Sequence, residues 1–367
     1  MKNFKLRAAL AAFACLGFVG ILFAEDAVPG KSVGILDVTT CEGVVADGQT
    51  DVADALQKVI DANPHRTLWF PDGTYLLSKP IATPADPNKA VSLDMADFAI
   101  IKPTKDWSSE EALIRLGGKD PFNSITIDGS NYGLDGGIVD GDNRANGVSI
   151  DSGRETYIRN TSIKHTKIGI LIKKGANSGS SDSDIENVNI VGNGAKDSIG
   201  VQVIGYDNSF SYMRIANVFI GFDVQSGGNM LRNIHPLFTA WNAGFDGSIG
   251  FWDRGNNNFY QNCYNDQFSV GFRNGENTRS VYEGCFCMWY TDKSASKLVA
   301  IQADGAFRSI FSNFDVALRN REGLQSAILE EGQEGGNGRF TNLMIWGKDS
   351  SEKKAYLKHV APDSILE

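Results

Sequence analysis

The sequence has few cysteines and histidines, and its charge is weighted toward acidic residues. Its 367 residues include five cysteines and four histidines, and no C-x-x-C pair occurs. This composition argues against a zinc finger. The 44 acidic residues outnumber the 35 lysines and arginines, which gives a formal net charge of −9. A protein with this balance is not expected to be a general binder of nucleic acid or of anionic membranes.

Long hydrophobic runs are missing except at the N-terminus. There, three basic residues precede an uncharged run of 16 residues, Ala8 to Phe23, and the small residue Ala24 follows. The run is shorter than the roughly 20 residues of a membrane-spanning helix. The pattern predicts a secretory signal peptide over residues 1–24, cleaved near Ala24. We therefore expect a secreted or periplasmic protein with no membrane insertion, whose net charge falls from −9 to −12 when the three basic residues are removed.

Helical periodicity is also scarce, because it occurs clearly only once. Thr50 is predicted as the N-cap of a helix over residues 51–62, which has one apolar face and stops at Asn63-Pro64. The rest of the chain alternates apolar and polar residues with a period of two, interrupted by glycine, asparagine, aspartate and serine. This alternation is typical of short β-strands. The prediction is an all-β protein with one short helix.

A six-residue unit recurs from residue 158 onward, with the pattern apolar, any, Asn, any, any, apolar. Its third positions, with glycine once in place of asparagine, are Asn160, Asn187, Asn217, Asn233, Asn262, Gly284, Asn313 and Asn342. Successive units lie 22 to 30 residues apart, except for a 16-residue interval before Asn233 that we interpret as a distortion. A second strand pattern recurs between the units, apolar-Gly-apolar-x-apolar, as in Ile168–Ile172.

Two or three short strands in each repeat of this length predict a parallel β-helix, in which each repeat forms one coil. Stacked coils bury a continuous apolar core that no single coil can bury. The recurring asparagines are expected at tight left-handed corners, with inward amides that bond the amides of neighbouring coils. We predict a β-helix domain over residues 25–347, capped at its N-terminal end by the helix, and a polar C-terminal cap or tail over residues 348–367.

The N-terminal segment resembles that of a known superfamily. Gly43–Asp51 (GVVADGQTD), Ala55-Leu56-Gln57 and Phe70–Tyr75 (FPDGTY) are similar to the signature of the pectate-lyase-like superfamily, with departures at Ala46 and Val52. The resemblance implies a right-handed parallel β-helix. It does not select a reaction, because the superfamily includes polysaccharide lyases, glycoside hydrolases, fructan-cleaving transferases, epimerases and phage tailspikes.

Motifs that would select one reaction are absent. The Asn-Thr-Asp, Asp-Asp, Gly-His-Gly and Arg-Ile-Lys motifs of the polygalacturonase branch do not occur. Asp140 and Asp142 have the spacing of a calcium loop, but Arg144 and Ala145 stand where such a loop needs an oxygen ligand and glycine. We interpret these acids as turn residues. No cofactor is identified from the sequence, and dependence on Ca²⁺ stays open.

Candidate site residues lie between residues 230 and 290, where the repeated positions become rich in aromatic and titratable residues. Equivalent positions in neighbouring coils are about 4.8 Å apart, so their side chains form columns. Outward aromatic rings suit the C–H faces of sugars, and titratable groups beside them can act in catalysis. The catalytic candidates are His235, Arg232, Tyr264, Glu283, Asp253 and Asp266. The substrate-binding candidates are Trp241, Trp252, Trp289 and Arg254.

Two cleavage mechanisms fit these candidates. A polyuronate lyase needs a base for the C5 proton and a cation for the carboxylate, and His235 or Tyr264 beside Arg232 would serve. A hydrolase or glycosyl transferase needs two carboxylates, about 5 to 5.5 Å apart for retention or about 6.5 to 9.5 Å for inversion. The carboxylates within range are Glu283, Asp266, Asp253 and Asp246.

The sequence therefore predicts an exported enzyme that cleaves a polysaccharide or oligosaccharide, as a polysaccharide lyase or a glycoside hydrolase. The alternative is a non-enzymatic glycan-binding or cell-surface β-helix protein. A groove with paired titratable groups would favour the enzyme, and scattered aromatic residues would favour the binder. A homotrimer is compatible with the fold and stays undetermined. Cys263 and Cys285 are expected to be stacked neighbours, and buried free thiols are favoured over a disulfide.

Overall fold

The structure, a computed structural model, describes most of the chain between residues 34 and 366. The described residues are 34–120, 132–153, 155–174, 180–238, 246–289, 298–306, 308–318, 324–330, 338–346, 357–358 and 364–366. The predicted signal peptide, residues 1–24, and the candidate Trp241 lie outside them. Within the described part of the chain, no helix is long and apolar enough to cross a membrane.

The described strands form two sheets, sheet A with 21 strands and sheet B with 11, and neighbouring strands run parallel. The strands of sheet A are Leu36–Asp37, Asp47–Asp51, Arg66–Phe70, Gly73–Leu77, Val91–Pro103, Tyr132–Asp140, Thr156–Arg159, Ser162–Thr166, Asp184–Glu186, Asn189–Gly192, Ser209–Ala216, Met230–Leu237, Asn256–Gln261, Tyr264–Asp266, Arg279–Glu283, Phe286–Trp289, Ile310–Ser312, Asp315–Leu318, Arg339–Thr341, Met344–Ile345 and Ile365–Leu366. The strands of sheet B are Ile81–Pro84, Ala112–Lys119, Asn146–Ile150, Ile168–Ile172, Ile199–Val203, Ile220–Val224, Ile249–Asp253, Val270–Asn274, Leu298–Ala303, Leu324–Glu330 and Leu357–Lys358. The helical segments are the α-helix Ala53–Ala62 and the 3-10 turns Val38–Thr40 and Pro87–Lys89.

One coil takes the chain through both sheets. From Thr156–Arg159 in sheet A the chain turns a corner into Ser162–Thr166, also in sheet A, and then enters sheet B as Ile168–Ile172. The next coil repeats this path, because Ile158 pairs with Ile185 on the strand above it. This is the path of a parallel β-helix, and the predicted fold class is confirmed.

The core consists of inward side chains that stack from coil to coil. Sheet B contributes a buried column made up of Val201, Phe222, Phe251 and Phe272. In sheet A, Tyr282 stacks on Tyr260 and on Phe311, with ring centroids 4.4 and 4.2 Å apart. Burial of each such ring stabilises the fold by about 1.5–3 kcal/mol. The coils are therefore held together by side-chain stacking as well as by backbone hydrogen bonds.

The helix packs against the first coils, as predicted, but it begins later than predicted. It spans Ala53–Ala62, and Val52 is an N-cap residue without a capping side chain. Thr50 does not cap the helix, because its hydroxyl donates to Asp47 Oδ2 at 2.8 Å. The Asp51 carboxylate takes that role by accepting from the first helical amide at 3.1 Å. The buried residues of the helix are Ala53, Leu56, Val59 and Ile60.

The chain enters the first coils through a sharp turn after Phe70. Tyr75 packs edge-on against Phe70 with ring centroids 5.4 Å apart, and its hydroxyl donates to the Pro71 carbonyl oxygen at 2.9 Å. Gly73 has a φ of 137°, and a Cβ there would lie 2.6 Å from the Ala46 side chain. Only glycine fits this position.

The recurring asparagines lie at the corner between the two sheet A strands of each coil, with the positive φ that was predicted. The corner residues are Asn160, Asn187, Tyr212, Asn233, Asn262, Gly284, Asn313 and Asn342. The unit predicted around Asn217 was wrong, because Ser211 pairs with Arg232 and places Tyr212, with a φ of 53°, opposite Asn233. The short 16-residue interval therefore reflects a misplaced register and not a distorted coil.

Two asparagine ladders connect the coils, one on the surface and one inside. At the exposed corner, Asn187 Nδ2 donates to Asn160 Oδ1 at 2.9 Å, so the prediction of inward corner amides was wrong. An inward ladder lies four residues before the corners. In it, Asn208 donates to Asn229 and Asn229 donates to Asn258, both at 3.1 Å, and all three residues are buried. Each buried amide therefore finds its partner on the next coil.

Strand pairing continues past residue 347. Leu357–Lys358 pairs with Ile328–Leu329, and Ile365–Leu366 pairs with Arg339–Phe340. Both strands fall within the stretch predicted as a polar cap or tail. Part of that stretch therefore extends the stack of coils.

Two buried cysteines follow the corners of adjacent coils. Cys263 and Cys285 are both free thiols, and strand pairing places them on neighbouring coils. The preference for buried free thiols over a disulfide is confirmed. Burial raises the pKa of the Cys285 thiol, so this group stays protonated and behaves as a small apolar side chain.

Candidate functional site

A groove crosses the outer face of sheet A at the coils that contain most of the predicted site residues. Outward residues at equivalent positions of successive coils form two columns there. The apolar column consists of Met230, Phe259, Val281 and Ile310. The polar column, two residues further along each strand, consists of Arg232, Gln261, Glu283 and Ser312. The first three members of each column line a groove of about 400 Å³, called the sheet A groove below.

The apolar column is exposed to an unusual degree. Met230 is 50% exposed, Phe259 49% and Ile310 39%. Single exposed apolar side chains are ordinary, whereas a contiguous group of them is typical of a binding surface. The polar column alongside supplies hydrogen-bonding groups. The groove therefore offers an apolar face and a polar edge, and sugar rings present the same combination.

Two of the predicted catalytic residues, Arg232 and Glu283, lie in the polar column of this groove. Glu283 accepts hydrogen bonds from the Ser312 hydroxyl and from Asn313 Nδ2, the latter at 2.6 Å. These bonds, with that from Ser312 the largest cause, lower the pKa of Glu283. Glu283 is therefore held as a carboxylate that can accept hydrogen bonds but is poorly suited to donate a proton.

Three other predicted catalytic residues come together on the second sheet A strands, just past the corner. The rings of His235 and Tyr264 stack with centroids 4.2 Å apart and an interplanar angle of 17°. His235 Nε2 lies 3.6 Å from Asp266 Oδ2, and the Tyr264 hydroxyl donates to the same oxygen at 3.3 Å. The imidazole is 29% exposed and the Asp266 carboxylate 9%. No hydrogen bond joins His235 Nε2 to Asp266 among the described residues, so the ring is oriented by its stacking on Tyr264. A histidine beside a buried carboxylate is a candidate for proton transfer.

One titratable residue of this face was missed, although its column was evident in the sequence. Asp315 follows His235, Tyr264 and Phe286 along the same outward column. Its Oδ2 accepts from Trp346 Nε1 at 2.6 Å, and its Oδ1 has no partner among the described residues. Burial raises the pKa of Asp315. Its position two residues after the corner asparagine was the signal that could have identified it.

Two predicted site residues lie in the core and cannot touch a substrate. Asp253 is fully buried and accepts from the Tyr282 hydroxyl at 3.0 Å. Trp289 is 1% exposed, and its Nε1 donates to the Phe268 carbonyl oxygen at 2.8 Å. Asp253 is therefore not available for catalysis, and Trp289 is not a surface platform for sugar. In both cases, the strand turns the side chain inward.

Trp252 and Arg254 lie together on sheet B, away from the sheet A groove. The Arg254 guanidinium is 4.2 Å from the centroid of the Trp252 ring, and that of Arg273 is 4.6 Å from it. Arg254 also pairs with the buried Asp223 carboxylate. The two cations cover the Trp252 ring and restrict the stacking of a sugar on it. Trp241 lies outside the described residues.

The acidic residues considered for calcium contact basic side chains. Asp142 pairs with Lys102 at 2.8 Å and with Arg144 at 2.7 Å. Asp140 Oδ1 lies 2.9 Å from His165 Nδ1. Among the described residues, no group of three or more histidine, cysteine, aspartate or glutamate residues is arranged to hold a metal ion.

Solved structures share this fold at low sequence identity. A tailspike protein mutant of E. coli bacteriophage HK620 aligns over 86% of this chain and 63% of its own, with a TM-score of 0.62 and 12% identity. The bacteriophage Phi29 gene product 12 N-terminal fragment aligns over 84% and 57%, with a TM-score of 0.62 and 17% identity. This chain thus spans less than two thirds of either phage protein.

An enzyme structure of similar length also aligns. The endo-xylogalacturonan hydrolase from Aspergillus tubingensis aligns over 89% of this chain and 99% of its own, with a TM-score of 0.56 and 14% identity. No family model matches the sequence, and no curated protein matches it. The chain folds as a right-handed parallel β-helix, the pectate-lyase-like fold that its N-terminal resemblance predicted.

Proposed function

We propose that the protein is a carbohydrate-active β-helix that binds a polysaccharide in the sheet A groove and cleaves it. The observation that carries this proposal is the exposed apolar column beside a polar column, because sugars combine apolar ring faces with hydroxyl edges. Two proteins of similar fold support it. One is named an endo-xylogalacturonan hydrolase, and the HK620 tailspike was solved in complex with a pentasaccharide.

His235 is the proposed proton acceptor. Its Nε2 faces the Asp266 carboxylate at 3.6 Å, which leaves Nδ1 as the nitrogen that takes a proton from the substrate. Stacking on Tyr264 fixes the orientation of the ring. Histidine is the side chain that most often serves as a general base. Arg232, in the polar column of the groove, lies three residues earlier, across the corner at Asn233, so the proposal requires the glycan to extend over this corner to reach His235.

Product analysis with two variants tests this proposal. The wild type is incubated with pectins, alginates, fructans and neutral glucans, and reducing ends and unsaturated ends are measured together with chromatography of the digests. Unsaturated products identify a lyase, and reducing ends without unsaturation identify a hydrolase. We expect Phe259→Ala to weaken binding and cleavage together. We expect His235→Ala to lower kcat at least 100-fold while binding is retained.

Matched controls separate these effects from general damage. Phe98 is another exposed phenylalanine, at 70%, on an N-terminal coil, and Phe98→Ala should leave binding unchanged. His65 is an exposed histidine with positive φ outside the groove, and His65→Asn should leave cleavage unchanged. Full activity of His235→Ala would remove histidine-based cleavage from the proposal.

A second candidate function is non-enzymatic glycan binding, and one observation favours it. Glu283 is the only carboxylate among the described residues that line the sheet A groove, and its pKa is lowered. The described lining of the groove thus offers no pair of carboxylates for hydrolysis. Wild-type protein that binds glycans through Phe259 and leaves every substrate intact, with and without Ca²⁺, would establish this function instead.

Export is part of the proposal. The basic start and the apolar run within residues 1–24 predict it. N-terminal sequencing of the protein recovered from the periplasm or culture medium should give a chain that begins near Glu25. Recovery of uncleaved protein from the cytoplasm would contradict export without affecting the glycan proposal.

A further inference from the structure

A second cleft adjoins the apolar column, on the side away from the polar column. It has a volume of about 410 Å³ and is lined by Asn256, Asn257, Asn277, Arg279, Ala306 and Arg308. Arg279 precedes Val281 by two residues, and Arg308 precedes Ile310 by two, so each points outward beside a member of the apolar column. This cleft, called the arginine cleft, lies beside the sheet A groove and has its own lining residues.

The register places the two arginines on adjacent coils. Val281 pairs with Ile310, and the Arg308 amide donates to the Thr278 carbonyl oxygen at 2.7 Å. Adjacent strands are about 4.8 Å apart. Arg279 and Arg308 are therefore direct neighbours on adjacent coils, and their like charges repel each other. An anion bound between them would turn this repulsion into attraction.

Neither arginine has an acidic partner within the described part of the chain. Arg279 donates from Nε and Nη2 to Asn257 Oδ1 at 3.0 and 2.6 Å, which fixes the guanidinium without neutralising it. No carboxylate is among the described residues that line the cleft, and the nearby Glu276 lies against Gly305 instead. Other arginines of the coil stack do have partners, in the pairs Arg159–Asp184, Arg254–Asp223 and Arg273–Asp304.

We propose that Arg279 and Arg308 form an anion subsite that binds the carboxylate or sulfate group of an acidic polysaccharide. The inference rests on the proposed function, because the sugar rings are taken to lie on the apolar column. Guanidinium groups bind carboxylate and sulfate oxygens through charge-assisted, bidentate hydrogen bonds. The subsite therefore names the substrate class, a glycan with acidic substituents.

The opposite edge of the groove fixes the direction in which the glycan lies. Glu283 stands two residues beyond Val281, across the apolar column from Arg279, and is held as a carboxylate. At the coil of Glu283 and Arg279, an acidic substituent is repelled by Glu283 and attracted by Arg279, whereas Arg232 supplies a cation at the other end of the polar column. Neutral hydroxyls can meet Gln261 and Glu283. At this coil, the acidic groups of the bound chain thus point toward the arginine cleft.

Matched pairs of glycans test the subsite. Dissociation constants are measured by calorimetry for polygalacturonate and its methyl ester, and for dextran sulfate and dextran. We expect the wild type to bind the charged member of at least one pair about tenfold or more tightly than the neutral member. Preference in the first pair identifies a carboxylate as the ligand group, and preference in the second identifies a sulfate.

Variants locate the preference. The double variant Arg279→Gln/Arg308→Gln should lose the preference for the charged glycan, while its affinity for the neutral member stays within about twofold of the wild type. The control Arg159→Gln, on the same sheet, should keep that preference. Circular dichroism confirms that each variant is folded. Equal affinity of the wild type for both members, or a preference that survives in the double variant, overturns the subsite but not the proposed function. If the wild type binds no glycan of either pair and none of the neutral glucans, both are overturned.

Discussion

The Asp253 carboxylate accepts three hydrogen bonds inside the core. The donors are the Gly255 amide and Asn258 Nδ2, each at 2.9 Å, and the Tyr282 hydroxyl at 3.0 Å. Burial raises the pKa of Asp253, and hydrogen bonding by the Ser280 side chain and by these three donors partly opposes that rise. These bonds connect strands of both sheets, so the residue acts on the stability of the coil stack and not on a substrate.

Removal of this carboxylate should destabilise the protein. Asp253→Ala leaves the Gly255 amide without an acceptor and removes one of the two acceptors of Asn258 Nδ2 and of the Tyr282 hydroxyl. We expect the free energy of unfolding to fall by about 2–4 kcal/mol. Urea unfolding of the variant and the wild type measures the difference. His235→Ala is the comparison, with an expected loss of less than about 1 kcal/mol. An Asp253→Ala protein of normal stability that lacks activity would show that the residue is catalytic after all.

Tyr212 occupies one of the eight corners named above, and the other seven are occupied by asparagine or glycine. Its φ of 53° is unfavourable for a bulky residue, whereas asparagine tolerates this conformation. The side chain is 57% exposed, so little packing is lost on replacement. We expect Tyr212→Asn to raise the free energy of unfolding by about 0.5–1 kcal/mol, measured in urea. Tyr212→Phe keeps the strain and should change stability by less than half of that; equal effects of the two would contradict the corner argument.

At the scale of elements, the helix, the corners and both strand patterns could be predicted because each follows a local rule. The register around Asn217 could not, since Ile215 to Ile220 also fits the six-residue unit and only pairing between coils excludes it. The inward placement of Asp253 could have been predicted from the alternation of inward and outward residues along a strand, because Asp253 lies two residues after the buried Phe251. The arginine cleft was missed because Arg279 and Arg308 precede the repeated unit and depend on that register.

The α-helix is the element that closes the N-terminal end of the core. Leu56 is fully buried in it, and Leu56→Ala should lower the free energy of unfolding by about 2–4 kcal/mol. Each coil contacts only its neighbours, so the damage should stay local. Hydrogen exchange should accelerate in Arg66–Phe70 and Gly73–Leu77 and remain unchanged in Arg279–Glu283. Lys58→Ala on the exposed side of the helix is the control, and uniform acceleration along the chain would contradict local capping.

At the scale of the whole molecule, the net charge of −9 opposes the ligand that the arginine cleft is proposed to bind. The two effects act over different distances. Repulsion from the many surface carboxylates is long-ranged, whereas attraction to Arg279 and Arg308 acts at contact. Salt reduces both, with a Debye length of about 30 Å at 0.01 M, 10 Å at 0.1 M and 3 Å at 1 M. Long-range repulsion is therefore screened first.

The affinity for an acidic glycan should consequently pass through a maximum as salt increases. Between about 0.01 and 0.1 M the loss of repulsion dominates, and toward 1 M the arginine contacts also weaken. Calorimetric dissociation constants for the charged and neutral members of one glycan pair, measured across this range, provide the test. The neutral glycan should show little dependence on salt, and the double variant Arg279→Gln/Arg308→Gln should bind the charged glycan more tightly as salt rises, without a maximum. A wild type whose affinity for the charged glycan does not change with salt would show that neither the net charge nor the arginine cleft governs its binding.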